Sequence, residues 1–275
     1  MELAYIIWNI RPEIFAIPET VPIVGGFAVR WYGLLFALGF IIGYLILKKI
    51  FEYEKVPIKV LDDLATYMII FTIIGARLGH CLFYEPEYYL SHPIDILKIW
   101  EGGLASHGAA VGILIGLFFF AKRYKKPYLW VLDRIVIVTS LAGFLIRAGN
   151  LMNSEIFGDV TNLPWGFIFV RAFGDGYSLA HHPTQLYEGL SYLLLFVFLF
   201  SYYWKHKDNL RNGVIFGYFL VILWSVRFLV EFIKLPQVGF EENMLLNMGQ
   251  LLSIPFIIVG VYLIFRLPKN KTIST

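Results

Sequence analysis

The chain has 275 residues, of which 58% are hydrophobic and only 16% are charged, with a formal net charge of +3. A soluble domain carries about 25% charged residues, so this composition excludes an ordinary soluble domain and indicates an integral membrane protein. The small net charge gives no indication of a nucleic-acid partner, and the single cysteine, Cys81, lies in an apolar run, where it excludes an internal disulfide and is expected to serve packing.

Seven apolar segments long enough to cross a bilayer follow one another along the chain. They lie at Phe27–Leu47, Leu64–Phe83, Leu104–Ala121, Tyr128–Ile146, Leu186–Trp204, Gly213–Ile233 and Met244–Phe265. The N-terminal residues MELAYIIWNIRPEIF lack a basic segment before an apolar core and do not have the pattern of a cleaved signal peptide. We therefore expect an all-α integral membrane protein formed by one transmembrane domain, residues 1–275.

The segments between these spans alternate in positive charge, and this alternation predicts the orientation of the chain. Cytoplasmic loops retain Lys and Arg, so the richer segments are expected inside, the N-terminus outside and the C-terminus in the cytoplasm. The rich segments carry Lys48, Lys49, Lys55 and Lys59, then Lys122, Arg123, Lys125 and Lys126, then Lys205, Lys207 and Arg211, and finally Arg266, Lys269 and Lys271. The poor segments carry Arg11, Lys98, Arg171 and Lys234.

Two of the predicted outer segments are long. Tyr84–Gly103 is rich in aromatic residues and is expected to lie in the membrane interface. Residues 150–185 are long enough to form a small extracytoplasmic cap, called the cap segment below. Within it, Trp165–Arg171 (WGFIFVR) partly alternates, which indicates a strand, and Asp175-Gly176 is typical of a turn. No internal repeat is evident.

Charged residues within or beside apolar spans require an explanation, because a charge at the bilayer centre costs about 2.5–3.5 kcal/mol. Arg147, Asn150, Asn153 and Glu155 cluster in IRAGNLMNSEIFG at the predicted outer end of the fourth span. Arg147 and Asn150 share a face if the helix continues, since they are three residues apart. The cluster is either an ordinary Arg–Glu pair at a helix end or an anion site surrounded by amide groups.

Two further groups allow the same two kinds of interpretation. Arg227 and Glu231 are four residues apart in WSVRFLVEF. They are either an intrahelical ion pair or functional intramembrane charges. His107 begins the third span in GGLASHGAAVG. It is either a structural histidine at a helix end or a general base, a role to which histidine is suited near neutral pH.

Other polar residues are expected at the same predicted outer level. Tyr32 follows Arg30 in VRWYG, an arrangement also typical of an ordinary membrane interface, and His182 and Gln185 lie in HHPTQLYEG. Adjacent histidines on a helix point in different directions, so we predict no metal site. Arginines around a histidine suit a phosphate-bearing substrate, and in a membrane the obvious one is a phospholipid.

Taken in order, the motifs VRWYG, IWEGGLASHG, RAGNLMNSEIFG, HPTQLYE, RFLVEF and NMGQLLSIP resemble those of the bacterial prolipoprotein diacylglyceryl transferases. The resemblance covers nearly the whole chain. This chain departs from the family pattern at Ile146, Leu151, Ala109 and Lys234, where the family usually has Gly, Phe, Gly and often Arg. These departures keep the charged and polar side chains of the motifs.

The resemblance implies an enzyme of the bacterial cytoplasmic (inner) membrane that needs no metal or cofactor. Its partners would be phosphatidylglycerol, the lipobox cysteine region of a prolipoprotein signal peptide and membrane lipids. The diacylglyceryl group would move to the cysteine thiol, forming a thioether and releasing glycerol phosphate in the first step of lipoprotein maturation.

Site residues follow from the same resemblance. His107, Arg147 and Arg227 would be catalytic, with His107 as the general base and the two arginines on the phosphate. Asn150, Asn153 and Glu155 would orient Arg147 or the glycerol head. Tyr32, Glu231, His182 and Gln185 would be further phosphatidylglycerol contacts. The alternative is a small polytopic transporter of an anionic solute, which would favour inverted repeats and charges at the bilayer midplane.

Overall fold

The computed structural model describes residues 5–18, 20, 26, 28–234 and 246–266. Its helices are α1 (Trp31–Tyr53), α2 (Ile58–Phe83), α3 (Pro86–Ser91), α4 (Ser106–Arg123), α5 (Tyr128–Met152), α6 (Val170–Phe173), α7 (Thr184–His206), α8 (Val214–Val230) and α9 (Met248–Phe265). Short 3₁₀ turns lie at Pro93–Leu97, Ile99–Glu101, Lys207–Asn209 and Glu231–Ile233. The chain is thus predominantly helical, as predicted.

Five of the described helices are long and apolar enough to cross a membrane: α1, α5, α7, α8 and α9. The chain is therefore a multi-pass membrane protein. The predicted second and third spans fall on α2 and α4, which are not among these five. The predicted starts of the first and seventh spans, Phe27 and Met244, lie outside the described residues. Helix α5 runs six residues beyond the predicted end of the fourth span, to Met152.

Four short strands supplement the helices in the described part of the chain. β1 (Ile6–Trp8) pairs in parallel with β4 (Phe167–Phe169), and β2 (Glu13–Ala16) pairs antiparallel with β3 (Ala28–Arg30). The strand predicted in WGFIFVR is confirmed as β4, although its last residues form α6. The predicted turn at Asp175-Gly176 is also confirmed. The three N-terminal strands were not predicted, because three or four residues are too few for an alternation pattern.

The chain divides into two compact units, Met1–Gly43 with Ile135–Thr275, and Tyr44–Arg134. In the larger unit, Leu151, Phe167 and Phe169 form a buried cluster within the cap segment. Helices α8 and α9 approach closely at Gly217, where a Cβ atom would lie 2.9 Å from the carbonyl oxygen of Gly260. Small residues at such crossings let helix backbones pack directly in lipid.

In the smaller unit, α2 and α4 pack through glycines spaced four residues apart. A Cβ atom at Gly108 would lie 2.2 Å from the Gly75 carbonyl oxygen, and one at Gly112 would lie 2.2 Å from that of Phe71. Cys81 of α2 is completely buried, as its apolar surroundings predict.

Arg77 of α2 organises the segment that leads to α4. Its guanidinium donates to the carbonyl oxygens of Asp95 at 2.6 Å, Ile96 at 2.9 Å and Gly102 at 2.7 Å. Its Cζ atom also lies 4.9 Å from the centre of the Tyr89 ring. Arg77 therefore holds this segment in place through the backbone.

Candidate active site

The end of α5 places the polar residues of IRAGNLMNSEIFG in one connected group. Because the helix continues past Ile146, Arg147 and Asn150 share a face as predicted, and Arg147 Nη1 donates to Asn150 Oδ1 at 3.3 Å. Asn150 and Asn153 both donate through Nδ2 to Glu155 Oε1, at 2.9 and 3.1 Å. The exposed Glu155 is thus bound by two amides, and the simple Arg147–Glu155 pair does not occur.

Glu188 of α7 is the carboxylate that Arg147 meets instead. Its side chain is fully buried, with Oε2 2.8 Å from Arg147 Nε and Oε1 2.9 Å from Lys234 Nζ. Lys234 is nearly as buried, with 3% of its side chain exposed. Lys234 also lies 3.6 Å from Glu231 Oε2. A buried charge requires a partner, and these contacts supply one to each member.

Arg227 of α8 is not paired with Glu231, so the predicted intrahelical alternative is wrong. Helix α8 ends at Val230, the chain then tightens into a 3₁₀ turn, and Glu231 turns to Lys234. Among the described residues, the buried Arg227 Nε has no hydrogen-bond partner. Its guanidinium lies 5.8 Å from the centre of the Trp224 ring.

Tyr192 links the two arginines. Its buried side chain interacts electrostatically with Glu188, Arg147 and Arg227. Arg147 of α5 and Arg227 of α8 therefore act on one region of the larger unit.

Tyr32 lies directly against the end of α5. A Cβ atom at Gly149 would lie 2.7 Å from Tyr32 Cδ2 and 3.1 Å from its Cα, so only glycine allows this approach. Tyr32 also interacts electrostatically with Arg147 and Glu155. This structure brings together Tyr32 and the α5 cluster, which are more than a hundred residues apart in the chain.

The residues of HHPTQLYEG separate into two roles. His181 is buried, with Nδ1 2.8 Å from the Gly158 carbonyl oxygen and Nε2 2.7 Å from the Tyr177 hydroxyl, as a structural residue of the cap segment. His182 is half-buried, with Nδ1 3.3 Å from the Tyr187 hydroxyl, and burial lowers its pKa below the ordinary histidine value. Gln185 Nε2 donates to the Glu155 carbonyl oxygen at 2.6 Å.

Gly158 ties the cap segment to the residues after α8. A Cβ atom there would lie 2.3 Å from the Ile233 carbonyl oxygen, and the next residue, Asp159, donates its backbone N–H to the same oxygen at 2.9 Å. Gly149 and Gly158 thus each allow a close approach of another part of the chain.

His107 belongs to the smaller unit, where it is exposed in the first turn of α4. Within the described ranges, no group of three or more His, Cys, Asp and Glu side chains has the arrangement of a metal site.

Buried charges of both signs lie in this part of the larger unit. Arg147 and Lys234 contact Glu188, Lys234 also lies 3.6 Å from Glu231, and Arg227 has a buried Nε. Charge-assisted contacts in such surroundings are stronger than in water, and arginine matches phosphate oxygens well.

Glu188 and Lys234 are the two site residues that sequence reasoning missed. Glu188 stands three residues after Gln185 and shares its helical face, which was a usable signal. Lys234 was counted as a loop charge, and nothing in its local sequence indicates its burial.

Comparison with known proteins agrees with the motifs. The family model described as prolipoprotein diacylglyceryl transferase matches residues 18–266. A phosphatidylglycerol–prolipoprotein diacylglyceryl transferase of Chloroherpeton thalassium is 46% identical over 272 residues, covering 98% of this chain and 97% of that protein. A protein of the same name from Porphyromonas gingivalis is 46% identical over 279 residues, covering 97% of this chain and 96% of that protein. Another from Tolumonas auensis is 44% identical over 265 residues, covering 96% of this chain and 98% of that protein.

Proposed function

The chain belongs to the prolipoprotein diacylglyceryl transferase family and is a transferase, and from this premise we propose how its residues act. Its reaction moves the diacylglyceryl group of phosphatidylglycerol to a prolipoprotein. The acceptor we propose is the lipobox cysteine of the signal-peptide region. The transporter alternative has no support from the matched relatives.

The chemistry sets three tasks for the protein. The acceptor thiol, of ordinary pKa about 8.5, must lose its proton before its sulfur attacks the glyceryl carbon. A carbon–sulfur bond forms while the carbon–oxygen bond to phosphate breaks, and glycerol phosphate leaves with the electron pair. The site must therefore remove a proton, hold the phosphate and stabilise its growing negative charge.

Arg147 and Arg227 are proposed to hold that phosphate. The observation that carries this proposal is the buried Arg227 Nε, which has no partner among the described residues. A buried, unsatisfied donor on a charged group is costly, and a phosphate oxygen would satisfy it. Both arginines lie within electrostatic range of Tyr192, so they are in the same part of the larger unit.

The remaining predicted residues receive supporting roles in this proposal. Asn150, Asn153 and Glu155 form the amide–carboxylate group beside Arg147, which suits the glycerol hydroxyls. Tyr32, Glu231, His182 and Gln185 would border the same lipid. His107 is proposed as the base for the thiol proton, on the strength of the resemblance and its exposure in the first turn of α4.

The membrane arrangement is also a proposal beyond the five apolar helices. With α2 and α4 as further spans, the chain crosses the cytoplasmic membrane seven times, with its N-terminus outside. The end of α5 then lies at the outer face, where lipobox cysteines are presented, and residues 150–185 cap a single transmembrane domain, residues 1–275.

The test uses purified protein, labelled phosphatidylglycerol and a lipobox peptide. Wild-type protein should release glycerol phosphate and form the thioether, whereas Arg147→Ala and Arg227→Gln should each lower turnover by about 10²-fold or more. Arg171→Gln, in an exposed arginine of the cap segment, is the matched control and should retain activity. Wild-type rates in Arg147→Ala or Arg227→Gln would remove that arginine from the mechanism.

A further inference from the structure

Glu188 divides its two oxygens between two cations from different parts of the chain, Arg147 in α5 and Lys234 just after the 3₁₀ turn that follows α8. Oε2 lies 2.8 Å from Arg147 Nε, and Oε1 lies 2.9 Å from Lys234 Nζ. The carboxylate is fully buried, and the two cations expose only 13% and 3% of their side chains. Water therefore contributes little to stabilising these charges, and the position of each charged group depends on the other two.

This arrangement leaves Arg147 electrically available. In an Arg147–Glu188 pair alone, the two charges would cancel. Glu188 would then compete with any bound anion for the guanidinium of Arg147. Lys234 offsets part of the charge of Glu188, so this carboxylate is not held by Arg147 alone. Glu231 lies farther from Lys234, at 3.6 Å, and does not displace it from Glu188.

The contact also sets the direction of the guanidinium. Glu188 meets Arg147 at Nε, which leaves the terminal Nη groups for other contacts, one of them to Asn150 Oδ1. Glu188 Oε2 accepts no aligned hydrogen bond within the described part of the chain, so the contact is an ion pair. When a group that binds the reacting part of a substrate is displaced by about 1 Å, the rate can fall about 10²-fold.

The backbone fixes Lys234 from the other side. Lys234 forms an isolated antiparallel bridge with Gly158, and Asp159 N donates to the Ile233 carbonyl oxygen at 2.9 Å. The lysine is thereby attached to the cap segment, while Glu188 belongs to α7.

We propose that Glu188 is a positioning residue for Arg147, and that Lys234 is the counter-charge that keeps this arginine free for a phosphate group. The proposal rests on the transferase function above. It predicts different kinetic effects for the two residues. Glu188 affects kcat because it orients the Arg147 guanidinium, and Lys234 affects KM for phosphatidylglycerol because it contributes a positive charge near the phosphate.

The experiment compares Glu188→Met, Lys234→Met, the double variant and Lys234→Arg, with Glu52→Met as an exposed control. Glu188→Met should lower kcat about 10²-fold. Lys234→Met should raise KM about tenfold, because one nearby positive charge is lost. Lys234→Arg keeps the charge and should reverse most of the rise in KM that Lys234→Met causes. Tryptophan fluorescence during heating reports whether each variant is folded.

The double variant separates positioning from simple charge balance. It removes Glu188 and Lys234 together, so neither is left as a buried charge without the other. Our proposal predicts a stable protein whose kcat is as low as that of Glu188→Met. Recovery of wild-type kcat in the double variant, or a large loss in Lys234→Arg, would overturn it. If wild-type protein itself made no thioether, the transferase proposal would fail instead.

Discussion

Replacement of Gly108 by alanine should open the α2–α4 pair. A Cβ atom at this position would lie 2.2 Å from the Gly75 carbonyl oxygen and 2.7 Å from Gly79 Cα, and both neighbours are backbone atoms. Since carbon atoms prefer about 3.5 Å or more, the helices would have to separate by roughly 1 Å. Overpacking of this kind costs about 1–3 kcal/mol.

Cys81 offers an assay of this loss of packing. It is the only cysteine of the chain and is completely buried in α2, so the rate of its labelling by a thiol-reactive dye reports how often the packing around α2 opens. A loss of 1–3 kcal/mol should speed labelling in Gly108→Ala by about tenfold or more. The matched control is Gly33→Ala, because a Cβ atom at Gly33 meets nothing within 4 Å.

The comparison of these two alanine variants refutes the reasoning if they behave alike. Both gain the helix preference of alanine over glycine, so any difference between them reflects the contact with α2. Labelling of Gly108→Ala at the rate of Gly33→Ala would show that the close glycine packing does not stabilise the pair.

Two further predictions concern the loops. Arg77→Met removes three donors to backbone carbonyls, so trypsin should cleave after Lys98 markedly faster than in wild type, and an unchanged rate would contradict the anchoring role. Burial lowers the pKa of His182, so below about pH 6.5 the unfolded chain binds more protons there and stability should fall on acidification. Thermal unfolding between pH 7.5 and 5 should show a shallower decline in His182→Gln than in wild type, and parallel declines would contradict this linkage.

Local pattern was sufficient to predict the helices and one contact within the candidate site. The apolar runs mark the long helices because every backbone polar group in lipid must be satisfied within the helix. The three-residue spacing of Arg147 and Asn150 correctly placed both on one face of α5. The family resemblance, carried by six ordered motifs, is confirmed by a match over residues 18–266.

Contacts between distant residues were beyond such reasoning. Arg147 finds its carboxylate 41 residues away in Glu188, although Glu155 is nearer in sequence. The i,i+4 spacing of Arg227 and Glu231 suggested a pair, but α8 ends between them and the local rule no longer applies. Strand β1 pairs with β4, so Ile6 is the partner of Phe167 although most of the chain's length separates them in sequence. Spacing rules describe one element, whereas these contacts depend on how elements pack.

The central claim is that Arg147 and Arg227 share the phosphate of the donor lipid. An experimental structure of the protein with phosphatidylglycerol bound measures this directly. The account predicts phosphate oxygens about 3 Å from guanidinium nitrogens of both arginines, with Arg227 Nε now satisfied and Glu188 still on Arg147 Nε. A phosphate bound away from both arginines, with Arg227 Nε still unpaired, would contradict it.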